Sequence, residues 1–208
     1  LALLTSALIN DFPEHYKYYS QKSFTYNGIK QSNRNRLLWR DEIFDGVKTG
    51  YTQSAGYCLV GSAIRGDMRL VAVVLGSEDD KRFNDVSLLM TYGFRYFTTE
   101  KLFSKKEPIQ DVKVVAGKNE TVRVGTKDDI ILTLQKDQRD NIRYEVSIGS
   151  QTLAPIEAMT TAGTLKVLDS ENNVLVETEI VFLESVEELG FFQRLLAIIW
   201  NWIQSLFN

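Results

Sequence analysis

One cysteine and one histidine are all that 208 residues supply of two versatile catalytic side chains. A lone Cys58 excludes an internal disulfide framework and a multi-cysteine metal site. A lone His15 would have to be the base of any Ser-His-Asp catalyst. It lies among turn and aromatic residues in DFPEHYKYYS with no serine motif beside it, and reads as a loop histidine. No uninterrupted apolar run reaches the ~20 residues of a membrane span. Neither sign of charge dominates: 24 Lys and Arg against 27 Asp and Glu leave a net charge of −3, so nucleic acid is not an expected partner. No metal site and no cofactor are expected. The opening LALLTSALINDFPE lacks an initiator Met, a basic leader and a small-residue cleavage site, and does not read as a signal peptide. Leu1, Leu4 and Leu8 already repeat at helical spacing, so the chain is expected to begin inside a domain.

What is there is ordinary globular composition, 44% hydrophobic and 25% charged, at a length suited to one large or two modest domains. Three textures follow one another. Residues 1–100 mix helix and strand and read as part of an α/β domain. YCLVGSAI and MRLVAVVLG form two strands, and a tight hairpin between them accounts for Arg65-Gly66-Asp67 without its adhesive meaning. DDKRFNDVSLLMTYGFRYF places Val86, Leu89, Met90 and Phe94 on one helical face, with Gly93 near the helix end.

Residues 101–183 change to alternating strands bounded by Gly, Asp and Asn: DVKVVAG, ETVRVG, DIILTLQ, NIRYEVSIG, GTLKVLD and VLVETEIVFL. They predict a small all-β sandwich or barrel with DSENNV as a hairpin turn. The last stretch, 184–208, is different again. From Phe191 an apolar run is interrupted every three or four residues by Gln193, Ala197, Asn201, Gln204 and Asn208, a narrow polar stripe on a helix. A core helix or a partner-binding helix would fit the pattern. The wide apolar arc with Trp200 and Trp202, placed after Gly190, fits an amphipathic helix lying on a membrane surface better. Arg194 is its one basic residue, so apolar burial rather than anionic lipid would hold it.

The chemistry is expected around DGVKTGYTQSAGYCLVGSA, residues 45–63. On a strand, Lys48 and Gly50 share one face while Thr49 points to the other or to the strand's edge. A strand edge carrying a cation and a hydroxyl can take an extended peptide as an added strand and hold its carboxylate. Gly50 would let that backbone approach closely. An exposed strand lysine beside a turn is the plainer alternative.

The longer pattern Asp45-Gly46-x-Lys48-Thr49-Gly50-x-Thr52, then Ala55-Gly56-Tyr57-x-Leu59-Val60-x-Ser62-Ala63, closely resembles the D-alanyl-D-alanine carboxypeptidases, the low-molecular-mass penicillin-binding proteins of the penicillin-binding protein 5 and 6 type. Lys-Thr-Gly is the third signature of that serine acyl-transferase superfamily, beside Ser-x-x-Lys and Ser-x-Asn. NRNRLLW at 33–39, GDMRLVAVVLG at 66–76, TYGFRYF at 91–97 and the C-terminal helix also match, in the family's order. No Ser-x-x-Lys occurs, and the one Ser-x-Asn match, Ser170-Glu171-Asn172, lies in the β-rich stretch after Lys48. In the family both motifs come earlier. They are therefore expected before Leu1, and the chain alone is expected to be inactive.

The resemblance implies a serine β-lactamase/transpeptidase-like domain, a β-sandwich domain and an anchoring helix on the periplasmic face of the bacterial inner membrane. It implies acyl transfer: a serine attacks the carbonyl between the last two D-alanines of a peptidoglycan stem peptide, D-alanine leaves, and water hydrolyses the acyl-enzyme. β-Lactams acylate the same serine. Lys48 would serve the proton network and the substrate carboxylate, Thr49 would hydrogen-bond that carboxylate, and the backbone N–H of Tyr51 would donate to the oxyanion. Arg82, near the carboxylate end, and Arg34, at the rim, would complete the substrate-binding set. Both arginines could equally be surface ion-pair residues, and Cys58 a small buried apolar residue. A β-lactamase shares the lysine strand but gives no reason for the sandwich and terminal helix. A non-catalytic, membrane-docked β-module with a remnant half-domain is the rival from another class.

Overall fold

The computed structural model describes residues 1–149 and 152–205, with side chains of the last helix described as far as Trp200. The chain divides into two units, Leu1–Thr99 and Glu100–Asn208. The first begins with α1 (Ala2–Asp11), the short α2 (Pro13–Tyr16), a hairpin of β1 (Ser23–Tyr26) and β2 (Ile29–Ser32), and the single turn α3 (Leu37–Arg40). Three long strands follow: β3 (Phe44–Thr52), β4 (Gly56–Arg65) and β5 (Met68–Ser77), antiparallel in the order β3-β4-β5. The β4–β5 hairpin turns at Gly66-Asp67, between the paired Arg65 and Met68, with Gly66 at a φ of 59°. That left-handed value suits glycine, so the Arg-Gly-Asp tripeptide is turn chemistry.

Helix α4 (Lys81–Tyr96) covers one face of this sheet. Its buried side chains Phe83, Val86, Met90 and Phe94 recur at intervals of three and four, a stripe of helical period. Leu89, expected on that stripe, is instead 49% exposed, because the buried arc is narrow and centred on Val86 and Met90. Gly93 lies in the last turn, near the helix end as expected, and it serves packing there. A Cβ there would stand 2.4 Å from Cδ1 of Leu70, so its hydrogen lets α4 lie close to β5. Gly61 does the same for β4, where a Cβ would stand 2.5 Å from Cγ1 of Val86. Leu37, Leu59, Phe83 and Val86 are fully buried in this core, each contributing roughly 1.5–3 kcal/mol of apolar burial.

Strand β6 (Phe97–Phe103) runs across the boundary, and the second unit then contains β7 (Pro108–Lys113), β8 (Thr121–Thr126), β9 (Ile130–Gln135), β10 (Arg143–Ile148), β11 (Thr161–Leu168) and β12 (Val174–Phe182). A five-stranded sheet, β10-β11-β12-β8-β7, and a two-stranded sheet, β6-β9, share one core of Val122, Val124, Ile130, Leu165 and Ile180, with Leu102 and Phe103 packed against it. This is a β-sandwich. Strand β6 was not expected: FTTEKLF follows α4 with no Gly or Pro to announce a change of element. Ser170-Glu171-Asn172 lies in the β11–β12 turn. There Asp169 Oδ1 accepts the backbone N–H groups of Glu171 and Asn173, at 2.8 and 2.9 Å.

Helix α5 (Phe191–Ser205) ends the described chain, and the expected helix over 191–208 extends into residues 206–208, which lie outside it. Phe191, Phe192, Leu196 and Trp200 are exposed, and Arg194 pairs with Glu188. No helix among the described residues is long and apolar enough to cross a membrane.

Candidate active site

Strand β3 ends its sheet, so among the described residues one of its edges carries no partner strand. Lys48 pairs with Val60, Thr49 with Leu59, Gly50 with Cys58 and Tyr51 with Tyr57. Paired residues project to the same face. Thr49 therefore follows Leu59 toward the core under α4 and is only 8% exposed, while Lys48 and Gly50 are open on the opposite face. The Thr49 hydroxyl makes no hydrogen bond among the described residues. The Lys48 ammonium donates to the Thr49 carbonyl at 2.7 Å and has no carboxylate partner among the described residues. An ammonium has three donors, so two remain for a ligand. Tyr51 is 58% exposed, its ring 4.4 Å from that of Tyr57 across the pair.

Arg82 reaches this strand from the first turn of α4. Its guanidinium lies 4.9 Å from the ring centres of both Tyr57 and Phe83, pairs with Asp79 at 2.9 Å and makes a long 3.5 Å contact to the Gly50 carbonyl. The side chain is nearly buried, and its Nε is sealed from solvent with no partner among the described residues. A cation is thus fixed beside Gly50 with one donor unmet. Arg34 is not brought in. It is exposed between β2 and α3, and no hydrogen bond or ion pair ties it to Lys48–Tyr51 among the described residues. Cys58 is half-buried rather than sealed in the core. His15 is exposed on α2, against the edge of Phe12.

Residues 1–79 match the D-alanyl-D-alanine carboxypeptidase family, and residues 97–188 match the family described as penicillin-binding protein 5, C-terminal domain. The chain belongs to the D-alanyl-D-alanine carboxypeptidase family. D-alanyl-D-alanine carboxypeptidase DacC of Escherichia coli is 37% identical over 211 residues, spanning 100% of this chain and 52% of DacC. The solved structure of penicillin-binding protein 5 from Haemophilus influenzae is 32% identical with a TM-score of 0.77, over 90% of this chain and 55% of that one. That of penicillin-binding protein 6B from Escherichia coli is 30% identical with a TM-score of 0.61, over 85% and 46%. The chain spans about half the length of the curated relatives it matches.

Four residues of this carboxypeptidase-family chain that surround the lysine strand were not singled out from sequence: Tyr16, Asn35, Asp45 and Arg69. Arg69 from β5 pairs with Asp45 at 2.8 Å, and its Nη1 also donates to the Ser62 hydroxyl at 2.7 Å. The Tyr16 hydroxyl donates to Asp45 at 3.2 Å, and Asn35 Nδ2 donates to the Gly46 carbonyl at 2.9 Å. Asp45-Gly46 just before Lys-Thr-Gly was the one local signal; its partners are distant in sequence. Burial pushes the Tyr16 phenol up to about 12, and the Asp45 carboxylate adds to the rise while the Ser62 hydroxyl opposes it.

An acid whose folded pKa lies above its unfolded value stabilises the fold while both states are protonated, below about pH 10. That contribution is lost as pH rises from about 10 toward 12. Denaturant titrations from pH 9 to 12 should show stability falling in the wild type and falling less steeply, by about one proton, in Tyr16→Phe. Equal slopes would contradict a buried, neutral Tyr16.

Proposed function

We propose that the chain is the substrate-strand half of a serine-type D-Ala-D-Ala carboxypeptidase, together with its β-domain and membrane-surface helix. The observation that carries this reading is the β3 edge, unpaired among the described residues, where a lysine ammonium with no carboxylate partner among them stands beside Gly50. An extended stem peptide can add to that edge as a strand, with main-chain hydrogen bonds supplying affinity. Its terminal carboxylate would then meet Lys48 on the open face, with Arg82 fixed behind Gly50, while the Thr49 hydroxyl, also expected to hold it, faces the core under α4 instead. The Tyr51 N–H is assigned to the oxyanion and Arg34 to the rim of the site. A serine supplied outside these 208 residues would attack the penultimate D-alanine carbonyl, expel D-alanine and be freed by water. β-Lactams, which carry a carboxylate beside a strained amide, would occupy the same edge. The chain alone would bind without turnover, since it contains no Ser-x-x-Lys.

A chimera in which the first half of DacC from Escherichia coli precedes Leu1 tests this reading. It should release D-alanine and form a covalent adduct with fluorescent penicillin, whereas the 208-residue chain should form none. In the chimera Lys48→Ala should slow acylation at least ~10²-fold, the effect of losing a positioned electrostatic or proton-transfer group. Lys48→Arg should also be poor, because a planar fork does not replace a compact ammonium. Near-normal acylation of Lys48→Ala, or a folded chimera without adduct, would favour the rival non-catalytic β-module.

The residues of 184–208 are assigned to peripheral attachment at the periplasmic face of the inner membrane. The exposed Phe191, Phe192, Leu196, Ile199 and Trp200 support an amphipathic helix lying in the interface. Each such side chain buried in lipid would contribute roughly 1.5–3 kcal/mol. Leu196→Asp with Ile199→Asp should abolish co-sedimentation with liposomes, and Gln193→Asp, on the polar stripe, should not. Equal release by both would contradict an interfacial helix.

A further inference from the structure

Phe44 and Lys48 lie four residues apart on β3. In an unbroken strand their side chains would project to the same face. The structure separates them: Phe44 is buried in the core under α4, and Lys48 is exposed on the opposite face. The difference is one residue. Phe44 pairs with Ala63, and the next partners are Gly46 and Ser62, so β3 spends an extra residue, Asp45, where β4 spends none. Such an insertion bends a strand and re-aims the side chains that follow it.

Three elements hold this insertion. The Asp45 carboxylate is three-quarters buried and is held by Arg69 of β5, at 2.8 Å to one oxygen and 3.0 Å to the other. Tyr16 of α2 donates to the same carboxylate and lies under the Arg69 guanidinium, 5.3 Å from its ring centre. Asn35, ahead of α3, holds the Gly46 carbonyl. Gly46 is fixed as glycine by the same cluster, because a Cβ there would stand 2.4 Å from the Tyr16 hydroxyl. Without the extra residue, either Phe44 leaves the core or Lys48 enters it. The first exposes apolar surface and the second buries an unpaired ammonium.

We propose that Asp45 and Arg69 are positioning residues for the lysine strand: their ion pair, closed by Tyr16 and Ser62, locks the extra residue into β3 and so turns Lys48 toward the open face. This rests on the reading of Lys48–Tyr51 as the substrate strand, but the register lock itself can be measured without any activity. The test is amide hydrogen exchange by NMR on the 208-residue chain. In Asp45→Ala and in Arg69→Met, exchange of the Val47–Tyr51 amides that pair with β4 should rise at least about tenfold. The double variant should be no faster than either single one, because the two residues act as a unit. Arg69→Lys should keep exchange within about threefold of wild type, and α4 amides from Val86 to Met90 should stay within about threefold in all variants. If the first two variants do not fold, Tyr16→Phe should give a rise of about threefold confined to 47–51. Unchanged exchange at 47–51, or a rise shared equally by α4, would overturn the proposal.

Discussion

An antiparallel strand pair offers its side chains to two faces in strict alternation, and the β3–β4 pair uses that rule with one interruption. Above the interruption, Phe44 and Ala63 close the core; below it, Val47 and Thr49 face the core while Lys48 and Gly50 face outward. Everything attributed to the candidate site depends on that offset. A slip of one residue would turn the cation into the core and bring the Thr49 hydroxyl outward in its place, leaving the open face without the charge that would hold a carboxylate. The downstream apolar pattern resists such a slip, since Leu59, Gly61 and Ala63 are all committed to the α4 side.

The sheet brings only part of the expected constellation together. Lys48, Thr49, Gly50 and Tyr51 are contiguous, and Arg82 is placed beside Gly50 by α4 packing rather than by its own ion pair alone. The Asp79 carboxylate is more than half exposed, so solvent screens that pair, whereas the stacking on Tyr57 and Phe83 is geometric and persists in salt. Arg34 stands apart. On the proposed reading these residues would bind and orient, and none of them is the nucleophile of an acyl transfer. The family relationship and the geometry of the β3 edge support different parts of the proposal: the first the class of reaction, the second the surface on which a substrate would lie.

Much of the fold was legible because it is written in local periods. The Val-, Leu- and Ile-rich runs YCLVGSAI and MRLVAVVLG, the glycine between them and the three-to-four spacing of Phe83, Val86, Met90 and Phe94 each need only a dozen neighbouring residues. Lys48-Thr49-Gly50 was legible for the same reason. What was not legible is long-range. Nothing near Asp45 announces that Arg69, two strands away, and Tyr16, four elements earlier, will converge on it. Leu89 misled because its spacing from Val86 is helical, yet the helix presents too narrow an arc to bury it. Strand β6 was missed because it continues directly from α4, with the consecutive polar residues Thr98, Thr99, Glu100 and Lys101 and no turn former between them.

The account's central claim is that the outer edge of β3 receives a peptide carboxylate at Lys48. Titration of the isotopically labelled chain with diacetyl-L-Lys-D-Ala-D-Ala, and in parallel with the same peptide as its C-terminal amide, addresses it most directly. The account predicts that the free acid shifts the amide resonances of Lys48–Thr52 and that the amide form, lacking the charge, shifts them far less. Equal shifts from the two peptides, or shifts confined to residues away from β3, would contradict it.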